Sequence, residues 1–174
     1  MKKLIGVLLL TFVIISCKNE VQTSYDLIIE NGNVIDIVSG NISNQSIFIN
    51  EGRIVKLSNS IEENAYTSEI VLDGTDKYIL PGFWDNHVHF RGGDSLIQAN
   101  KEFLKLFIMN GITTVRDAAG DLTSSVIAWK QQIENKSLVG PTIFSAGPKI
   151  DGKNATWAGS LVVETEDDIS VALD

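Results

Sequence analysis

Short apolar runs of strand length fill the first half of the chain, and hydrophobic positions at helical spacing alternate with such runs through the second. Leu27-Ile28-Ile29, Val34 to Val38, Ile47-Phe48-Ile49, Ile54-Val55-Lys56-Leu57 and Ile70-Val71-Leu72 are short apolar runs rich in β-branched residues. Asn31-Gly32, Glu51-Gly52 and Asp73-Gly74 punctuate them, and such dipeptides suit tight hairpins because a turn residue must take a left-handed conformation. The pattern predicts a small antiparallel β-module, a β-sandwich portion, over residues 25–80. After Pro81-Gly82 the pattern changes. Phe83 to Phe90 reads as a strand. Leu96, Ile97, Phe103, Leu104, Phe107 and Ile108 then fall on one helical stripe, with Phe103 and Phe107 expected in the core, up to the stop at Asn110-Gly111. Ile112 to Val115 is a second strand, and residues 121–136 a second helix that buries Val126, Ile127, Trp129 and Ile133. Thr142 to Ala146 is a third strand, and Thr165-Glu166-Asp167-Asp168 reads as a cap opening a third helix. Strands that alternate with helices signify a parallel sheet of βαβ units.

The first seventeen residues do not belong to this scheme. Lys2 and Lys3 precede an apolar run from Leu4 to Ile15 that is too short to span a bilayer comfortably, and the one cysteine, Cys17, sits where such export signals are cut. Residues 1–17 are therefore expected to be a signal peptide, with residues 18–24 a polar tether. The chain is therefore expected to be exported. One cysteine makes no internal disulfide, so packing must stabilise the fold. The formal net charge of −8 disfavours binding to nucleic acid and to anionic lipid alike. Four Asn-x-Ser/Thr triplets, at Asn41, Asn44, Asn135 and Asn154, would be glycosylation candidates only in a eukaryotic secreted protein.

Candidate chemistry concentrates at Asp85-Asn86-His87-Val88-His89. Residues i and i+2 of a strand share a face, so His87 and His89 present their rings side by side while Val88 points the other way. Paired imidazoles make half a metal site, since a catalytic zinc takes three protein ligands and keeps one position open. Asp85 shares their face and is a candidate acceptor for the His87 ring. Asp117 is a candidate for the rim of the site or for a structural role. Trp157 and the loop from Gly147 to Ser160 are candidates for controlling access or for plain surface packing.

Leu80-Pro81-Gly82-Phe83-Trp84-Asp85-Asn86-His87-Val88-His89, then Gly111-Ile112-Thr113-Thr114-Val115-Arg116-Asp117, then Gly140-Pro141-Thr142-Ile143-Phe144-Ser145-Ala146-Gly147-Pro148 together resemble the amidohydrolase superfamily. The likeness is strongest to its imidazolonepropionase-like and Xaa-Pro dipeptidase-like branch. Residues around Cys17 resemble a bacterial lipobox, which implies lipidation of Cys17, a lipid anchor in the membrane and a location in the bacterial cell envelope. The family resemblance implies an α/β fold in which residues 81–174 are the N-terminal part of a TIM-like (β/α)8 barrel, its first three βα units, behind the β-sandwich portion. It implies His87 and His89 as metal ligands and a divalent metal, zinc by preference, as one or two ions in the full-length enzyme. A small-molecule or small-peptide substrate would lose a carbon–nitrogen bond to metal-activated water. The family's lysine, further histidines and aspartate match no residue here, so no catalytic residue is assigned and this segment alone is expected to be inactive.

A (β/α)8 barrel takes roughly 250 residues. The remaining strands are accordingly expected beyond residue 174, and Val115 and Phe144 are expected to face the barrel interior. Two other readings stay open at this point. One is a non-catalytic exported lipoprotein or binding module; the other is a compact zinc protein that adds Asp85 or Asp117 to the histidines.

Overall fold

A computed structural model of the chain describes residues 22–60, 66–157 and 159–173. The signal sequence and Cys17 lie outside the described residues. The chain divides into two units between Leu80 and Pro81.

The first unit is one five-stranded sheet of β1 (Thr23–Ile35), β2 (Ile42–Asn50), β3 (Arg53–Ser58), β4 (Tyr66–Asp73) and β5 (Tyr78–Ile79). Its order is β3-β2-β1-β4, with β5 also paired to β1. β1–β2 and β2–β3 are antiparallel, but β4 and β5 run parallel to β1, so the expected all-antiparallel module is in fact mixed. The edge of β1 left open by β2 is filled in succession by β4 and β5. A tight turn joins those two, with Gly74 N–H donating to the Glu30 carbonyl and Asn33 N–H to that of Lys77.

Glu51-Gly52 forms the expected hairpin turn, with φ of 52° and 71°. Asn31-Gly32 does not. β1 runs straight through it, and the register with β2 shifts between Ile29 and Gly32 around Asn31 at φ 57°. A bulge and a hairpin both need a left-handed residue, so the same dipeptide serves either. β1 also starts at Thr23, inside the stretch expected as tether. Ile28, Ile47 and Phe48 are buried, and Phe48 packs against Tyr25 and Tyr66 at ring separations of 4.9 and 5.0 Å. Among the described residues this unit supplies one sheet and no second layer of a sandwich.

The second unit contains β6 (Phe83–Val88), a single 3-10 turn (Asp94–Leu96), α1 (Ile97–Met109), β7 (Ile112–Asp117), α2 (Thr123–Glu134), β8 (Thr142–Ser145), β9 (Ile150–Asp151), β10 (Leu161–Val162) and α3 (Glu166–Leu173). β6, β7 and β8 pair in that order, all parallel. Phe90, Leu104, Val115, Leu122, Val126, Trp129 and Ile143 form the core, with Val88, Phe107 and Ile133 packed against it. The α3 cap is as expected: Asp168 N–H donates to Thr165 Oγ1 while Asp168 Oδ2 accepts from Thr165 N–H.

Three expected positions differ. Val115 is fully buried in the helix-packed core and not on an open sheet face, because its alternation partner on β7 is Arg116, which is exposed. Phe103 is 51% exposed and Ile127 48%. Each lies about a quarter turn from the buried stripe, set by Asn100 and Leu104 on α1 and by Val126 and Trp129 on α2. Phe144 is half exposed and stacks on Trp84 at 5.7 Å. Among the described residues no helix is long and apolar enough to cross a membrane.

Candidate functional site

The two histidines meet at the C-terminal tip of β6. Their ring centroids are 4.9 Å apart at 85°, and the two Nε2 atoms are separated by 3.1 Å. Val88, between them, packs against the core on the other side, as a two-residue period requires. His89 Nδ1 lies 2.7 Å from the carbonyl oxygen of Ala119. A carbonyl only accepts, so Nδ1 carries the proton and the Nε2 lone pair of His89 faces His87. With His87 in the Nδ1–H tautomer, both lone pairs converge on one point. Two imidazole nitrogens on one tetrahedral zinc lie about 3.3 Å apart, given zinc–nitrogen bonds of about 2.0–2.1 Å. The observed spacing fits a shared cation to within a few tenths of an ångström.

The fold holds this pair through the backbone around it. Ala119 sits at φ 156°, rare for a residue with a side chain, and is nearly buried. Ala118 N–H donates to the Val88 carbonyl, tying the tips of β6 and β7 together. Asp117 is fully buried. Its Oδ1 accepts from Phe90 N–H at 3.3 Å and its Oδ2 from the Ser145 hydroxyl at 3.0 Å, and Ala119 N–H donates to it as well. Burial pushes this carboxyl above its ordinary value; the hydrogen bonds from Ser145, Phe90 and Ala119 and the proximity of His89 oppose the shift. One side chain thus ties the end of β6, the β7 loop and β8. Gly120 is needed beside it, since a Cβ there would collide with the Phe90 carbonyl oxygen.

An aromatic wall stands against His89. Trp157, from the loop between β9 and β10, meets its ring edge-on at 4.9 Å, and both Arg91 and Lys149 lie over the indole at 4.8 and 5.2 Å. A cleft of about 330 Å³ opens next to it, lined by Arg91, Leu96, Asp121 and Thr156 as well as Trp157.

Of the residues singled out in the sequence, His87, His89 and Trp157 come together. Asp85 does not reach the His87 ring: its Oδ1 accepts from the His87 backbone N–H at 3.1 Å instead. Asp117 serves as a tie between strand tips. Among the described residues no group of three histidine, cysteine, aspartate or glutamate side chains is placed to hold a metal, so neither aspartate completes a compact zinc site. Ala119, Arg91 and Asp121 were not foreseen. A backbone acceptor such as Ala119 leaves no mark in sequence, whereas Arg91 follows His89 at the same two-residue interval.

No family model matches the chain. Adenine deaminases from Listeria welshimeri and Clostridium perfringens are 33% and 36% identical to it over 90 residues, covering 52% of this chain and 14% and 15% of theirs. Among solved structures, a Xaa-Pro dipeptidase with bound methionine superposes with a TM-score of 0.71 at 24% identity over 84% of this chain and 43% of its own. Molinate hydrolase gives 0.59 at 26% identity, over 72% and 30%. The chain thus spans about one seventh of the deaminases and less than half of these solved chains.

The parallel β-α-β-α-β unit with paired imidazoles at the tip of its first strand is thus similar in fold to part of these solved chains. A solved amidohydrolase likewise superposes with a TM-score of 0.68 at 20% identity over 84% of this chain and 43% of its own.

Proposed function

We propose that this chain carries the first part of a divalent-metal hydrolase that breaks a carbon–nitrogen bond in a small substrate, a cyclic amide or a small peptide. The observation behind this reading is the convergence of His87 Nε2 and His89 Nε2 at 3.1 Å, with His89 Nδ1 held by the Ala119 carbonyl. Adenine deaminases and a prolidase complexed with N-methylphosphonate-L-proline, both similar to this chain, support the reaction class. In this reading β6, β7 and β8 are the first three strands of a TIM-like barrel, whose catalytic groups gather at the C-terminal strand ends.

His87 and His89 would hold the ion, zinc by preference. A divalent cation bound there supplies Lewis-acid polarisation of the substrate carbonyl and lowers the pKa of water. Ala119 fixes the His89 tautomer, Asp117 keeps the strand tips together, and Trp157 shields one edge of His89 from water. Two imidazoles are fewer ligands than a catalytic zinc takes, so further ligands come from outside the described residues. The 174-residue chain by itself is accordingly proposed to bind zinc weakly and to lack turnover. Export with a lipid on Cys17 belongs to the same reading and rests on residues 1–17 alone.

Equilibrium dialysis against zinc, with assays for release of ammonia from adenine and of proline from Xaa-Pro dipeptides, tests the proposal. Weak zinc retention should vanish in both His87→Ala and His89→Ala. Zinc binding that survives both substitutions, or hydrolysis by the 174-residue chain itself, overturns it.

A further inference from the structure

Glycine follows an asparagine or an aspartate at Asn31-Gly32, Asp73-Gly74, Asn110-Gly111 and Asp151-Gly152. In such a pair the glycine nitrogen can attack the side-chain carbonyl carbon before it and close a cyclic imide, because glycine puts no side chain in the way. The fold treats these pairs differently. Gly74 N–H donates to the Glu30 carbonyl and Gly111 N–H to that of Ile108. Asp73 Oδ1 accepts from Thr75 N–H, and the Asn110 amide donates to the Leu106 carbonyl. Gly32 is buried within the pairing of β1 with β2.

Gly152 instead donates to the side chain before it, its N–H lying 2.9 Å from Asp151 Oδ1. The carbon to be attacked, Asp151 Cγ, is one bond from that oxygen. On the other side of the carboxylate, Lys149 Nζ lies 2.7 Å from Oδ2. The Lys149 ammonium, and after it the Gly152 N–H, hold this carboxyl below its ordinary value, so the proton that a departing oxygen needs has to come from the lysine. Nucleophile and acid thus stand on opposite oxygens of one carboxylate before any reaction. Gly152 is exposed, and nothing stands within 4 Å of where its Cβ would be, so the ring has room to close.

We infer that Asp151 is a site of spontaneous modification, at which the chain converts its own aspartate to isoaspartate through an imide with Gly152. Gly152 N bonds to Cγ and the Cγ–Oδ2 bond breaks. Oδ2 leaves as water, carrying the Gly152 proton and one from the Lys149 ammonium, and solvent returns a proton to the lysine. Water then opens the imide. Cleavage at the main-chain carbonyl carbon leaves the nitrogen on Cγ, which is isoaspartate; cleavage at Cγ restores aspartate. The step needs neither metal nor substrate.

The product adds one carbon to the main chain and turns the former main-chain carbonyl of Asp151 into a free carboxylate. That carbonyl accepts from Val163 N–H at 2.9 Å, beside the short pairing of β9 with β10. Trp157 belongs to the loop between those strands and meets His89 edge-on at 4.9 Å. Isomerisation at Asp151 therefore loosens the aromatic wall against His89.

The test ages the 174-residue chain in neutral buffer, folded and in urea. Endoproteinase Asp-N, which cuts before aspartate but not before isoaspartate, reads the loss of the cut at residue 151, and isoaspartyl methyltransferase counts the product. Conversion at Asp151 should be about tenfold faster folded than in urea. Deamidation at Asn31 and Asn110, read by mass, should be slower folded than in urea. Gly152→Ala, and Lys149→Arg, which keeps the charge but holds its proton too tightly to give it, should each slow the folded chain several-fold. In the isomerised fraction the Trp157 indole N–H resonance should move. Conversion at Asp151 that is no faster in the folded chain, or that neither substitution slows, overturns the site; an unmoved Trp157 resonance overturns its effect on the wall.

Discussion

Replacing Asp117 with alanine should cost about 3 kcal/mol of stability and loosen the histidine pair. The side chain is fully buried and satisfies Phe90 N–H, Ala119 N–H and the Ser145 hydroxyl. Hydrogen bonds to a charged acceptor contribute about 1.5–3 kcal/mol each, and buried donors left without a partner keep most of that loss. Relief of the buried carboxylate's desolvation offsets part of it, which brings the net to about 3 kcal/mol. For a folded unit of this size that corresponds to a fall in Tm of roughly 12–24 °C. Phe90 and Ala119 flank the two contacts that orient His89, so zinc or cobalt affinity should fall by about tenfold or more. Urea denaturation with matched Co²⁺ titrations measures both effects. The sign of the pH dependence is also fixed. Because burial raises this carboxyl, its favourable contribution is full below the unfolded carboxylate value and declines as pH rises through the folded one. Asp117→Asn, which has no proton to lose, should flatten that part of the stability profile. A loss under about 1 kcal/mol in the alanine variant, with unchanged cobalt affinity, would refute the idea that Asp117 ties the strand tips.

Gly120→Ala pushes a methyl into the Phe90 carbonyl oxygen and should destabilise the chain by about 2 kcal/mol in chemical denaturation; a neutral result would mean that the β7 loop moves freely. Phe144→Ser removes half of an exposed aromatic stack with Trp84, so stability should change by less than about 0.5 kcal/mol while binding of an apolar dye drops. A larger loss of stability would show that this sheet face is packed in solution. Cys17→Ala should abolish labelling by a fatty-acid analogue in a bacterial host, and undiminished labelling would contradict the lipid anchor read from residues 1–17.

Local features were the most legible. The alternation at His87, Val88 and His89 predicted two rings on one side and an apolar residue on the other, because strand periodicity depends only on neighbours. The Thr165–Asp168 cap and the Glu51-Gly52 turn were readable for the same reason. Asn31-Gly32 suits a turn and a bulge alike, because both need a left-handed residue; only the partner strand distinguishes them. The parallel pairing of β4 with β1 depends on a long-range return that no local pattern encodes. At the site, the side chains that could ligate metal were visible, but what orients them was not. The Ala119 carbonyl has no chemical signature in the sequence, and Asp85 turned out to bond backbone where a ring contact was expected.

The ring nitrogens of His87 and His89 decide whether a cation is held at the tip of β6. Long-range ¹H–¹⁵N spectra of the imidazoles during a Zn²⁺ titration should show His89 protonated at Nδ1 throughout, with both Nε2 resonances moving together to metal-bound values. Nε2 resonances that ignore zinc, or metal taken up through His89 Nδ1 with loss of the Ala119 hydrogen bond, would contradict it.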